Sequence, residues 1–219
     1  MTAADGADAD AYASARSHLR ALDADWARLV DAVGPCRHRP HTARAPYEGL
    51  ARAVAYQQLH ARAGDAIVAR IVAAGGGAFP SAARLVELGE SGLRACGMSA
   101  SKARTVVAIA RAALDGVVPG LDEARACHDA ELTQRLTALR GVGRWTVHMF
   151  LIYGLGRLDV LPADDYGVRT GYRALKGLAE PPGAAELQRI GEAWSPYRTL
   201  AAWYLWRMPE LRADARSAR

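Results

Sequence analysis

Leu139-Arg-Gly-Val-Gly-Arg-Trp-Thr146 separates two stretches of helical periodicity, and its reading sets the fold. Upstream, Leu132, Leu136 and Leu139 recur at i, i+4 and i+7 over residues 129–139, the apolar stripe of one helix. Downstream, residues 145–153 resume helical character. Gly141 and Gly143 interrupt the pattern between them. A Gly-x-Gly can open a dinucleotide fingerprint, but Thr146 stands where the third glycine belongs and no strand precedes it. A tight turn between two helices remains. Its glycines permit left-handed or crowded backbone and remove the Cβ atoms that would hold a phosphate away. The second helix then presents the N–H groups of Gly143, Arg144 and Trp145 to an anion, a grip that holds a nucleic-acid backbone without reading sequence. The same spacing suits a glycine C-cap in an ordinary helical hairpin, and spacing alone leaves both readings open.

Outward from the hairpin the chain reads as all-α. β-branched residues are sparse, and Ala, Leu, Arg and Glu dominate at helical spacing. Pro46 is well placed to open a helical region over residues 46–73, with Leu50, Val54 and Gln57 on one stripe and Ile67 and Ile71 on the next. Gly75-Gly76-Gly77 breaks it. Helical units follow at residues 81–88, 91–96 and 99–114, and then at 165–175, 184–194 and 197–206. Residues 154–164 read as a loop, and residues 1–10, rich in Ala, Asp and Gly, as a disordered leader. The remainder, 11–219, is expected to form two helical lobes, one over about 46–160 holding the hairpin, the other from 11–45 plus 161–219, with a cleft between them.

Composition narrows the class. With 219 residues, 51% hydrophobic and 23% charged, the chain can bury a substantial core. Twenty-eight basic against 23 acidic side chains give +5, too mild an excess to name a partner. Only Lys102 and Lys176 are lysines. Cys36, Cys96 and Cys127 are odd in number and widely spaced, which fits free thiols in a reducing compartment. No signal peptide or membrane-length apolar run is present, so a cytoplasmic protein without a membrane partner is expected. Cys36, His38 and His41 lack a fourth ligand within reach and are not read as a metal site.

The hairpin Leu139-x-Gly-Val-Gly-x-x-Thr146 resembles the helix-hairpin-helix motif of the superfamily of DNA base-excision glycosylases. About twenty residues on, Leu161-Pro-Ala-Asp-Asp-Tyr-Gly-Val-Arg169 stands at the spacing where that superfamily carries its catalytic aspartate. The resemblance assigns the role to Asp165, with Asp164 the weaker choice. The chemistry needs a carboxylate because breaking the N-glycosidic bond builds positive charge on the sugar, which a fixed anion stabilises. Asp165 before Tyr-Gly-Val-Arg also suits an ordinary N-cap, and one residue can do both.

Strand-nicking members of the superfamily place a nucleophilic lysine just after the hairpin. Here that position is Trp145, so the chain resembles the monofunctional branch that uses water. Four cysteines near the C-terminus, which would hold an iron–sulfur cluster, are absent. Gly-Val-Gly-Arg-Trp-Thr146 is similar to the 3-methyladenine glycosylase II type, in which the indole stacks on a flipped cationic purine. The resemblance adds Tyr197, nearby Trp194 and Met149 (a tyrosine in some relatives) to a base pocket. Trp203 and Trp206 read as core. Gln57-Gln-Leu-His60 resembles the minor-groove wedge, Leu59 filling the gap that base flipping leaves and His60 and Gln58 beside it, with the glutamines otherwise capping a helix end. Gly141, Val142, Gly143, Arg144 and Thr146 would bind the DNA backbone, and Lys102, in a helix-capping Ser99-Ala-Ser-Lys segment, would add a phosphate contact. In this family the hairpin also holds a monovalent cation through backbone carbonyls, which implies Na⁺ or K⁺ at Leu139 and Gly141 and no other cofactor. The expected partner is double-stranded DNA containing alkylated bases, bound by a monomer. A glycosylase for deaminated purine or uracil, or an inactive DNA-binding relative, are the alternatives.

Overall fold

A computed structural model describes residues 3–208, all of whose regular elements are helical. The chain divides into two compact units, one formed by Pro40–Gly156 and the other by Met1–Arg39 with Arg157–Arg219. Among the described residues, no helix is long and apolar enough to cross a membrane.

The Pro40–Gly156 unit contains α3 (Pro46–Tyr56), α4 (Ala61–Ala74), α5 (Ala82–Ala95), α6 (Ala100–Leu114), α7 (Leu121–Ala126), α8 (Asp129–Thr137) and α9 (Arg144–Met149). Pro46 opens α3 at a position whose N–H has no helical acceptor. Ser81 and Ser99 cap α5 and α6 through their hydroxyls, accepting from Arg84 N and Lys102 N. The two units expected at 81–88 and 91–96 form one α5 kinked at Gly89, whose φ of +60° and ψ of −172° only glycine adopts readily. Leu50 and Val54 of α3, Ile71 of α4, Leu85 of α5, Ile109 of α6 and Leu132 and Leu136 of α8 are buried together in the core. After α9 the helix widens into a π-helical turn, Phe150–Gly154. The Phe150 ring sits where a Cβ on Gly49 or Gly154 would lie only 2.9 or 2.7 Å from it, so both glycines make room for the core aromatic.

The other unit contains α1 (Ala3–Leu22), α2 (Ala24–Val33), α10 (Tyr166–Lys176), α11 (Ala184–Ile190) and α12 (Arg198–Leu205). Helix α1 takes in positions 3–10, expected as a disordered leader; alanine at 3, 4, 7 and 9 supplies the highest helix propensity. Positions 1–2 of that leader lie outside the described residues. Asp23 caps α2 by accepting from Asp25 N and Trp26 N, and Lys176 Nζ ties it to α10 at 2.6 Å. Burial opposes the charges on Asp23 and Lys176, yet their hydrogen bonds win, lowering the carboxyl and raising the amine. The core of this unit is aromatic. Trp194, 2% exposed, meets Trp26 edge-on at 5.3 Å between ring centroids and Tyr172 at 5.7 Å.

Candidate DNA-binding and catalytic site

In the Pro40–Gly156 unit the hairpin joins α8 to α9. Val142 N donates to Leu139 O at 3.0 Å, closing the turn, and Val147 N donates to Gly143 O at 3.2 Å, starting the next helix. The two glycines differ in what they are for. Gly141 has φ +85°, and a Cβ there would lie 2.0 Å from Thr105 Oγ1 on α6. It is required by the fold. Gly143 has φ −91°, and a Cβ there would meet nothing within 4 Å, so no protein neighbour demands glycine at that position. What its missing Cβ leaves is open approach to the start of α9, where the N–H groups of Gly143 and Arg144 have no intrahelical acceptor.

The hairpin residues read as DNA contacts therefore separate. Gly143 and Arg144 are exposed, whereas Val142 and Thr146 point inward, with exposures of 4% and 1%. Val142 packs as core and its N–H is spent within the turn. Thr146 Oγ1 accepts from Gln57 Nε2 at 2.8 Å, and the same nitrogen donates to Gly141 O at 3.3 Å. Gln57, one of the two glutamines of the Gln-Gln-Leu-His segment, thus braces the hairpin. Lys102, expected to contact phosphate, is engaged within the protein. Its Nζ donates to Ala55 O at 3.0 Å and Gln57 O at 2.7 Å, capping the last carbonyls of α3, and burial pushes its amine down. The ammonium is committed to the end of α3, just before Leu59.

Between α3 and α4 the chain turns through Gln58, the single non-glycine residue with positive φ (+54°) among those described. Leu59 follows at 41% exposure, and His60, also exposed, precedes α4 without a side-chain capping bond. A leucine held in solvent at the tip of a left-handed turn has lost the apolar burial that would explain it in a core. At the base of this turn Tyr56 Oη donates to Asp65, and the Tyr56 ring fills the place a Cβ on Gly64 would take. Burial and the Asp65 carboxylate push the Tyr56 phenol up to about 12. Trp145, half-buried, and Met149, at 9% exposure, both lie on α9.

In the other unit Asp165 is the N-cap of α10. Its Oδ1 accepts from Val168 N at 2.8 Å and from the Trp206 indole Nε1 at 2.8 Å. Gly167 makes the arrangement possible, because a Cβ there would lie 2.9 Å from Trp206 Cδ1 and 3.1 Å from Asp165 Oδ1. One carboxylate is thus fixed by a backbone donor and an aromatic donor from forty-one residues away. The neighbouring Asp164 is exposed, with no capping bond, as is Tyr166 at 76%. Trp206, read as core, does pack against the core of this unit and also orients the carboxylate through its indole N–H. Only an Asp-to-Trp pairing across the tertiary fold could reveal this, and no local pattern carries it.

Trp194 does not fit a base pocket: enclosed by Trp26 and Tyr172, it is core. Tyr197 is half-buried, stacked edge-on to His18 at 5.5 Å, and immediately precedes α12. Behind it Arg198 makes a two-pronged contact with Asp159, Nε to Oδ1 at 2.7 Å and Nη2 to Oδ2 at 2.8 Å, and Ser195 Oγ donates to Oδ2 at 2.8 Å. Burial disfavours the Asp159 charge, but these donors outweigh it and hold the carboxyl below its ordinary value.

A family model described as HhH-GPD superfamily base excision DNA repair protein matches residues 51–196, spanning Leu59, the hairpin and Asp165. The chain belongs to this superfamily. This HhH-GPD protein is 43% identical over 199 residues to DNA-3-methyladenine glycosylase 1 of Schizosaccharomyces pombe, covering 90% of this chain and 87% of that protein. It is 37% identical over 202 residues to the alkylbase DNA glycosidase-like protein mag2 of the same yeast, covering 91% and 95%. Among solved structures it is similar to the S. pombe 3-methyladenine DNA glycosylase Mag1 in complex with abasic DNA, with a TM-score of 0.83, 43% identity and coverage of 89% of this chain and 95% of that one.

Neither unit offers an evident metal centre: among the described residues no group of three or more His, Cys, Asp or Glu side chains is placed to hold an ion. The Cys36 Sγ accepts from His38 N at 3.4 Å, and burial pushes its thiol up to about 11, away from the thiolate a metal would need. At the hairpin, the Leu139 and Gly141 carbonyls each accept one hydrogen bond, and each oxygen retains a second lone pair, so the pair is chemically compatible with a monovalent cation.

Proposed function

We propose that this HhH-GPD protein is a monofunctional DNA glycosylase that removes alkylated purines of the 3-methyladenine and 7-methylguanine type from duplex DNA. The observation that carries the reading is the Asp165 carboxylate, anchored on Oδ1 by Val168 N–H and the Trp206 indole at the head of α10. The names of the two yeast relatives support the substrate class.

The residues divide the work as follows. Gly143 and Arg144 grip backbone phosphate at the start of α9, and Leu59 enters the stack where the damaged nucleotide leaves it, offsetting part of an unstacking cost of a few kcal/mol. The Trp145 ring receives the extruded base, and a cationic purine gains about 0.5–2 kcal/mol on an indole face. The bond from C1′ to the base nitrogen then breaks, its electron pair leaving with the base, and positive charge grows on the sugar. Asp165 stabilises that charge and directs water, whose oxygen bonds to C1′ while its proton passes to the carboxylate. A base that already carries positive charge leaves without a general acid. Trp145, in place of a nucleophilic lysine, keeps the reaction hydrolytic. A Na⁺ or K⁺ at the Leu139 and Gly141 carbonyls would add positive charge beside the phosphate, and the protein would act as a monomer.

The test is a panel of duplexes bearing methylated purine, hypoxanthine or uracil, with free base and strand scission both measured. Preferential release of methylated purine without a strand nick is expected. Preferential release of hypoxanthine or uracil would overturn the substrate class, and salt-dependent DNA binding with no base released would leave a binding protein.

A further inference from the structure

We propose that a groove beside the hairpin, walled by α5 and α6, is a second phosphate-binding track for the same duplex. The proposal rests on the DNA-binding reading of the hairpin. The groove, of about 520 Å³, is lined by Arg104 and Arg111 of α6, by Arg140 and Gly141 of the hairpin turn, and by Gly89 and Glu90 of α5. Because Gly141 borders it, the groove begins where the hairpin turn ends.

Two observations point to a polyanion. First, some arginines of this unit are tied closely to carboxylates and others, Arg62, Arg94 and Arg144 as well as those of the groove, are not. Arg52 pairs with Glu48, Arg84 with Glu87 and Arg135 with Glu123, all at 2.6–2.9 Å. Arg111 and Arg140 have no such carboxylate among the described residues, and Arg104 meets Glu90 only at 3.9 Å, with both side chains half exposed. Guanidinium groups left without a partner along one groove are the donors a phosphate backbone takes.

Second, the spacing is linear. Arg104 and Arg111 stand seven residues apart, two turns along one face of α6, or roughly 10 Å. Measured along a duplex axis, that is about three base-pair steps at 3.4 Å each. Charges spread along a line suit a chain of phosphates better than one convergent anion. The wall opposite is α5, kinked at Gly89 with φ +60° and ψ −172°. Glu90 is the one carboxylate on the groove and opposes the bound phosphate.

The test is equilibrium binding to a duplex holding an abasic-site analogue, measured between 50 and 200 mM salt. Each phosphate contact contributes about 0.9 to the slope of log K against log salt, so the wild type should lose about 3.5-fold more affinity across that interval than Arg111→Gln or Arg140→Gln. Glu90→Gln should bind more tightly than wild type. Trimming the duplex from each end in turn should erase the difference between wild type and Arg111→Gln at one end only. Unchanged slopes in both arginine variants, with thermal midpoints equal to wild type, would overturn the groove assignment, as would weaker binding by Glu90→Gln. Failure of the glycosylase reading shows differently: the wild type would bind DNA with the steep slope yet release no base.

Discussion

The two hairpin glycines should fail in opposite ways when each is changed to alanine. At position 141 the backbone sits at φ +85°, where a residue with a Cβ costs about 1–2 kcal/mol. The new methyl would also lie 2.0 Å from Thr105 Oγ1 and 3.0 Å from its Cγ2. Thr105 is buried on α6 and its hydroxyl donates to Ser101 O, so it cannot swing clear, and overpacking of this kind costs about 1–3 kcal/mol. Together Gly141→Ala should lose about 2–5 kcal/mol of stability. Gly143→Ala meets nothing and keeps an allowed φ of −91°. Loss of unfolded-chain entropy and the weaker N-cap nearly cancel, leaving a change within about 1 kcal/mol. Its methyl instead stands in front of the N–H groups that open α9. Losing one charge-assisted bond to phosphate, about 1.5–3 kcal/mol, weakens DNA binding by about 10- to 150-fold. Urea unfolding and fluorescence anisotropy with an abasic duplex separate the effects. Wild-type stability in Gly141→Ala, or wild-type DNA affinity in Gly143→Ala, would refute the assignment of one glycine to the fold and the other to the ligand.

Trp206→Phe keeps the ring but removes the donor to Asp165, so single-turnover base release should fall about 10-fold or more while abasic-duplex affinity holds; equal rates would remove Trp206 from the site. Lys102→Met should lower stability by about 1–3 kcal/mol, because two carbonyls at the end of α3 lose their donor, with the salt slope of DNA binding unchanged; a shallower slope would restore Lys102 as a phosphate contact. Asp159 has a folded value below its unfolded one of about 3.9, so its stabilisation is complete above that pH and is lost as pH falls through the lower value. Acid unfolding followed by circular dichroism should therefore show a smaller stability loss below pH ~4 for Asp159→Asn than for wild type, and parallel curves would contradict the Asp159–Arg198 linkage.

What the sequence shows and what it hides divide along the range of the interactions. The hairpin turn, the break after α3 at Gln57-Gln-Leu-His60 and the helix start at Asp165 are legible because each depends on a short local pattern: glycine spacing, a Gln-Gln-Leu-His run, an acid before a helix start. The break at Gly89 is legible too, although the two helices it separates are continuous with one kink. Trp194 is misread and Trp206 only half read for one reason. A tryptophan's role depends on what meets its ring and its N–H, and those partners come from α2 and α10 for the first and from Asp165 for the second. Lys102 is likewise hidden, since the carbonyls it caps lie more than forty residues upstream. The inward turn of Val142 and Thr146 follows from packing against Gln57 and the core, which the motif's spacing does not encode.

Single-turnover release of 3-methyladenine and 7-methylguanine from methylated duplex, comparing wild type with Asp165→Asn, tests the central claim most directly. Removing the charge while keeping the shape should slow release by about 10²–10³, the usual effect of deleting one transition-state electrostatic group, with abasic-duplex binding retained. Undiminished release by Asp165→Asn would contradict it.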